Sequence, residues 1–260
     1  MHETAFRSIT LGVDDGIAVL TLANDAKRNA LSLETMHELT AALEACDRDR
    51  TIRVVVLRAL GSVFSAGHDL REMLCRDAAA YDEIFASCVV LMQTVQRVAA
   101  PVIAEVRGVA TAAGCQLVAT CDLAVASTEA RFATPGVKIG LFCTTPMVAL
   151  TRAIGRKRAM EMLLTGAFID AATAADWGLV NRVVAPEALE AEVMALARTI
   201  ATASAATVGL GKAAFYAQID LDQSAAYAHA RQVMTTNALA ADAQEGMSAF
   251  VERRTPHWSA

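Results

Sequence analysis

An α/β fold is predicted for this 260-residue chain by three features: short β-branched runs alternate with amphipathic stretches through the first half, helical patterns dominate the second, and 55% of residues are hydrophobic, enough for a sizeable core. In chain order, IAVLTL (17–22), IRVVVLR (52–58), VIAEV (102–106) and LAVA (123–126) read as strands. Between the first two, Met36, Leu39, Leu43 and Cys46 recur at helical spacing after Ser32, an N-cap, with Glu34 in the first turn. Ile84, Cys88, Leu91, Val95 and Val98 mark one face of a longer helix, which Pro101 closes. RKRAMEMLLTG ends a helix at Gly166, and DAATAADWG starts on the cap Asp170 and stops at Gly178. LVNRVV (179–184) is a last strand. Helices follow at roughly 187–203, 222–240 and 242–253, with alanine-rich faces suited to packing against another subunit. No repeat or low-complexity linker separates a C-terminal unit from the rest.

The formal charge of −5 provides no positive field for phosphate backbones. The 34–49 helix carries Glu34, Glu38, Glu44 and Asp47 against Arg48, so no nucleic-acid partner is expected. The six cysteines are scattered, without a C-x-x-C pair, mostly inside apolar runs where thiols pack as small hydrophobes. That usage suits a reducing compartment, and a cytoplasmic location is expected. The start MHETAFRSITLGVDDG lacks a basic segment followed by an apolar one, and no run approaches about 18 apolar residues, so neither targeting nor a membrane partner is expected. No metal site is expected either.

The segments NDAKRNALS (24–32), FSAGHDLREM (64–73) and PVIAEVRGVATAAGCQLVATCDLAVASTEARFATPGVKIG (101–140) resemble the crotonase, or enoyl-CoA hydratase/isomerase, family. The match continues through AMEMLLTG, AADWGLVNRVV and EGMSAFVERR, so it covers nearly the whole chain. Within the family, AAGCQLVA and FATPG are similar to the subgroup called enoyl-CoA hydratase domain-containing protein 3. The resemblance implies a crotonase-like spiral of ββα units over residues 1–200 and a C-terminal helical trimerisation region over 201–260. It also implies a homotrimer or dimer of trimers, an acyl-CoA small-molecule ligand, and no cofactor beyond the coenzyme A carried by that ligand.

By the same resemblance, the backbone N–H groups of His68 and Ala113 form an oxyanion hole for the thioester carbonyl, with Ala113 at the start of a short helix whose dipole adds to it. Lys27, Arg28 and Arg71, together with Ala66, Asp69 and Leu70 around the FSAG turn, fall in segments that contact coenzyme A, and Phe250 with Arg253 match a C-terminal pair near the nucleotide. Hydration needs one group to activate water and another to protonate the α-carbon. Aligned with the family motif, Gln116 and Gly136 stand where two glutamates would, so ordinary hydration is expected to be weak or absent. The alternatives are a genuine hydratase with a substitute acid such as Glu83, or a non-catalytic acyl-CoA binder.

Other residues carry weaker expectations. Thr144 is read as a helix cap or a polar group of the pocket, and Cys143 as a packed thiol rather than a nucleophile. Asp69 is read as the cap of LREM. Asp122 and Glu105 are expected as buried ion-pair members with Arg107 or Arg131. The ring of His68 is left open among coenzyme A, the acyl pocket and a buried partner.

Overall fold

The computed structural model describes residues 6–259; residues 1–5, part of the stretch read as lacking a leader, lie outside the described residues. The chain opens with an antiparallel hairpin of β1 (Ile9–Asp14) and β2 (Ile17–Leu22), followed by α1 (Leu33–Arg48). Ser32 caps α1 as the sequence predicts, its Oγ accepting the Thr35 N–H at 3.1 Å. Three ββα turns come next. The first is β3 (Val54–Ala59), β4 (Val63–Ser65), α2 (Leu70–Met73) and α3 (Ala78–Arg97). The second is β5 (Val102–Val106), β6 (Val109–Thr111) and α4 (Ala113–Thr120). The third is β7 (Leu123–Ser127), β8 (Arg131–Ala133), α5 (Thr144–Ala153) and α6 (Arg156–Thr165). The rest comprises β9 (Ile169–Asp170), α7 (Ala171–Trp177), β10 (Arg182–Val184), α8 (Leu189–Ala201), α9 (Ala205–Gln218), α10 (Gln223–Ala238) and α11 (Ala241–Glu252).

The first strand of each turn enters a six-stranded sheet of order β1-β2-β3-β5-β7-β10, parallel from β2 onward. The second strand enters a four-stranded sheet of order β4-β6-β8-β9, parallel except for β9. Each turn therefore advances by one strand in both sheets, and the carboxyl ends of β4, β6 and β8 lie side by side. That is where parallel sheets place ligand sites.

Both faces of the larger sheet are covered, which explains the near-continuous apolar strands. Val55, Leu57, Val102, Ala104 and Val106 point into the main core with Leu39 and Leu43 of α1 and Leu91 and Val95 of α3. Val54, Val56, Ile103 and Val125 point the other way, onto Leu189, Val193 and Ala197 of α8. Each such buried aliphatic side chain contributes about 1.5–3 kcal/mol. Helix α3 is long and apolar enough to cross a membrane by length and composition. Its Ile84, Cys88, Leu91, Met92 and Val95 are instead spent inside the core.

Several elements were not evident from periodicity. Strands β4, β6 and β8 have three residues each, too few to display alternation. Strand β1 buries only Ile9, and α9 buries no residue and contains Gly209 and Gly211, so neither carries an apolar stripe. Helix α9 is held by polar contacts. Lys212 Nζ lies 2.7 Å from the Asp122 carboxylate and donates to the Val95 and Ala100 carbonyls at 2.8 and 3.1 Å, while the Tyr216 hydroxyl donates to Asp122 at 2.8 Å. The expected pairing of Asp122 with Arg107 or Arg131 is thus corrected. Arg131 packs over the Phe168 ring at 4.6 Å, and Arg107 donates to the Pro186 carbonyl. Charge alone could not select a partner 90 positions away.

Candidate active site

The ends of the three short parallel strands build one cavity of about 350 Å³. Ala66 and His68 follow β4, Ala112 and Ala113 follow β6, and Pro135 and Gly136 follow β8; all six border it. Leu70 and Met73 of α2, Phe85 of α3, and Ile139, Leu141 and Phe142 before α5 make the remaining wall largely apolar. No aspartate or glutamate lines this cavity.

Two peptide groups at the cavity are fixed by hydrogen bonds at their carbonyl ends. The Gly67 carbonyl accepts the Leu31 N–H at 2.8 Å, which fixes the peptide that carries the His68 N–H. The Ala112 carbonyl accepts the Gln116 N–H at 3.0 Å, which fixes the peptide that carries the Ala113 N–H. Gly67, at φ +87°, brings the two turns together: a Cβ there would stand 3.0 Å from Ala113 N and 2.8 Å from the Ala112 Cβ. Ala112 is a non-glycine residue at φ 50°, ψ −121°, outside the ordinary allowed regions. Strain of this kind costs about 1–3 kcal/mol and gathers at functional sites. Among the described residues, neither the His68 nor the Ala113 N–H has a hydrogen-bond acceptor in the chain. Ala113 opens α4, so the helix dipole adds positive potential there.

The His68 ring packs edge-on against Phe85, with centroids 5.7 Å apart, and both of its nitrogens are buried from solvent. Burial pushes its pKa below the usual 6.5, opposed by hydrogen bonding of the ring with the Leu31 backbone.

The two positions aligned with the family's glutamates have different surroundings. Gly136 borders the cavity, yet a Cβ there would stand 2.0 Å from the Leu141 carbonyl oxygen and 2.8 Å from Cys143 Sγ, so the backbone excludes any side chain. Gln116 is buried against α3, where its Oε1 accepts from Cys88 Sγ at 3.8 Å, and it is not part of the cavity wall. Thr144 borders the cavity, but Cys143 holds the N-cap position of α5 and no side chain caps that helix. The capping role expected for Thr144 is therefore corrected. Cys143 is a buried thiol whose pKa burial pushes up, in keeping with packing. Glu83 is exposed on α3 and does not border the cavity.

A second, polar cleft gathers Lys27, Arg28, Asp69 and Arg71. Lys27 Nζ lies 3.8 Å from Asp69, and Asp69 caps α2 as expected by accepting the Arg71 N–H at 3.0 Å. Ala66 and Leu70 belong to the apolar cavity instead. The cleft's loop is anchored by Asn29, which the sequence reading missed: its buried amide donates to the Leu60 and Val63 carbonyls at 2.9 and 2.7 Å and accepts the Asn24 N–H at 3.0 Å. Only the flanking turn residues of NDAKRNALS could have signalled it. Phe85 was also missed, although it lies four positions after Tyr81 at the edge of the apolar face of α3. Phe250 and Arg253 are not brought to either cavity. Phe250 is 86% exposed on α11 in a separate cleft with Trp258, and Arg253 ends that helix.

A family model described as enoyl-CoA hydratase/isomerase matches residues 12–260. Mouse enoyl-CoA hydratase domain-containing protein 3, mitochondrial, is 46% identical over 94% of this chain and 82% of its own. Among solved structures, an enoyl-CoA hydratase of Mycobacterium smegmatis matches at 48% identity and TM-score 0.95, over 97% of this chain and 99% of that one. Human enoyl-CoA hydratase domain-containing protein 3 matches at 45% identity and TM-score 0.95, over 97% and 100%. The mammalian relatives are named as mitochondrial proteins, which overturns the cytoplasmic location expected from the sequence. Unpaired thiols argue against an oxidising compartment, but they do not distinguish one reducing compartment from another.

Proposed function

Since the chain belongs to the enoyl-CoA hydratase/isomerase family, we propose that it binds an acyl-CoA thioester, with the thioester carbonyl between the His68 and Ala113 amides, and that it lacks the carboxylate pair of ordinary hydration. The observation that carries this reading is the pair of unbonded N–H groups beside an apolar cavity that no carboxylate lines. Two fixed donors in a site with little water stabilise an enolate oxygen, and each is worth about 2.7–4 kcal/mol. Lys27, Arg28 and Arg71 supply cations for the phosphates of coenzyme A, with the thioester arm passing from their cleft to the cavity.

Hydration adds water to the β-carbon and a proton to the α-carbon. A glutamine amide does neither transfer, and Gly136 has no side chain to contribute. Losing both groups lowers hydration by at least about 10⁴-fold. Helices α9–α11 are the proposed oligomerisation region of a homotrimer or dimer of trimers, a reading supported by the exposed Phe215, Tyr227, Met234 and Leu239.

Calorimetric titration with acyl-CoA thioesters should give dissociation constants below millimolar, and crotonyl-CoA should be hydrated slowly or not at all. Absence of binding removes the reading. Turnover of crotonyl-CoA near ~10³ per second removes the claim that the acids are lost. The second reading, a non-catalytic binder, is favoured by the same carboxylate-free wall; a screen of enoyl, malonyl-type and hydroxyacyl thioesters separates it, because a pure binder leaves all of them unchanged.

A further inference from the structure

We propose that the cavity selects an alkyl chain of medium length, about six to ten carbons, over short and over polar acyl groups, with Phe85 limiting how long that chain can be. The inference rests on the acyl-CoA reading above and deepens it by naming the class of acyl group. A methylene takes about the room of a liquid water molecule, about 30 Å³, so a cavity of about 350 Å³ holds about ten such groups when full, and fewer once the thioester carbonyl takes its share. A two- or four-carbon chain leaves most of that space without a hydrocarbon partner.

The chemistry of the wall favours hydrocarbon. Leu70, Met73, Phe85, Ile139, Leu141 and Phe142 offer no side-chain hydrogen bond. Both ring nitrogens of His68 are buried from solvent, so the imidazole presents no exposed polar atom to a ligand. Lys138, Thr144 and Thr145 border the cavity without being buried, so their polar groups keep water as a partner. A polar acyl group therefore gives up water against an apolar wall, whereas each methylene that enters is taken out of water at a gain. Leu70, Ile139 and Leu141 are 50%, 60% and 41% exposed, so apolar surface gathers at this one cavity rather than being scattered singly. Phe85 is the bulky wall residue least able to give way. It sits on α3, whose Ile84, Cys88 and Leu91 are built into the core, and its ring packs edge-on against His68.

Calorimetry of the full chain with saturated acyl-CoA thioesters from acetyl to tetradecanoyl, each below its micellar concentration and with free coenzyme A as the baseline, tests this. Affinity should rise about 4-fold per added methylene from butanoyl-CoA to octanoyl-CoA and level off at about ten carbons. Adipoyl-CoA, which is hexanoyl-CoA with a carboxylate at the chain end, should bind at least about 10-fold more weakly than hexanoyl-CoA. Phe85→Ala, which widens the cavity, should carry the rise to longer chains. The wild-type series and the adipoyl comparison need no variant, so they decide the matter even where Phe85→Ala fails to fold. An affinity independent of chain length, a rise unbroken through tetradecanoyl-CoA, adipoyl-CoA bound as tightly as hexanoyl-CoA with Lys138 as its cation, or a folded Phe85→Ala that levels off at the wild-type length overturns the inference and leaves acyl-CoA binding intact. Failure of every thioester and of coenzyme A to bind overturns both.

Discussion

Glu105 on β5 shares the sheet face of Ile103, toward α8, and one of its carboxylate oxygens is buried without a partner. The expected ion pair with Arg107 or Arg131 does not form. Arg58 and Arg107 favour its charge from nearby, but Arg58 donates instead to Glu190 at 2.9 Å, and Glu190 opposes the charge. Burial is the largest influence and raises the Glu105 pKa above its usual 4.5. Between 4.5 and that raised value the folded chain binds more protons than the unfolded one, so stability falls as pH rises through the window and the loss is complete above it. Glu105→Gln should therefore stabilise the protein at pH 7 by about 1 kcal/mol, the scale of one unsatisfied buried group, and change little near pH 4. Urea unfolding at the two pH values checks this; equal effects at both would contradict it. The residue types were plain in the sequence, but their partners were not, because strand alternation sets the face and the neighbouring elements set the company.

At the scale of elements, α9 shows how a helix without an apolar stripe in the core is kept in place. Its anchor is Lys212, whose charge meets Asp122 and two carbonyls that end α3 and precede β5. Removing one member of a buried pair leaves the other uncompensated, at about 3–5 kcal/mol. Lys212→Met should lose stability on that scale, with amide-exchange protection in α9 falling first; unchanged protection there would remove the anchoring role. Tyr216→Phe should cost about 1 kcal/mol, since Asp122 retains its other partners. Helices α1 and α3 were legible because each pairs a cap or stop signal with an apolar stripe, and α7 from its bounds alone, Asp170 and Gly178. Helix α9 has the cap Ser204 but no stripe, so only its context identifies it.

For the whole molecule, the exposed apolar side chains of α10 and its C-cap Leu239 matter most. Tyr227, Met234 and Leu239 are 70%, 66% and 79% exposed, more apolar surface than a lone helix face keeps without cost. Light scattering of the wild type should give a trimer or hexamer mass, and the triple change of these residues to glutamate should give a smaller species. A wild-type monomer would end the oligomer proposal. The sequence by itself determined the α/β class, the caps and stops of the main helices, the family, and the lack of glutamate at positions 116 and 136, because these depend on local periodicity or residue identity. Only the tertiary structure decided that Gly136 is pressed against the Leu141 carbonyl, that His68 and Ala113 border one cavity, and that the His68 ring is buried edge-on against Phe85. The approach of His68 to Ala113 arises where successive turns of chain stack their short strands side by side, and no local pattern encodes a distance between turns some 45 residues apart.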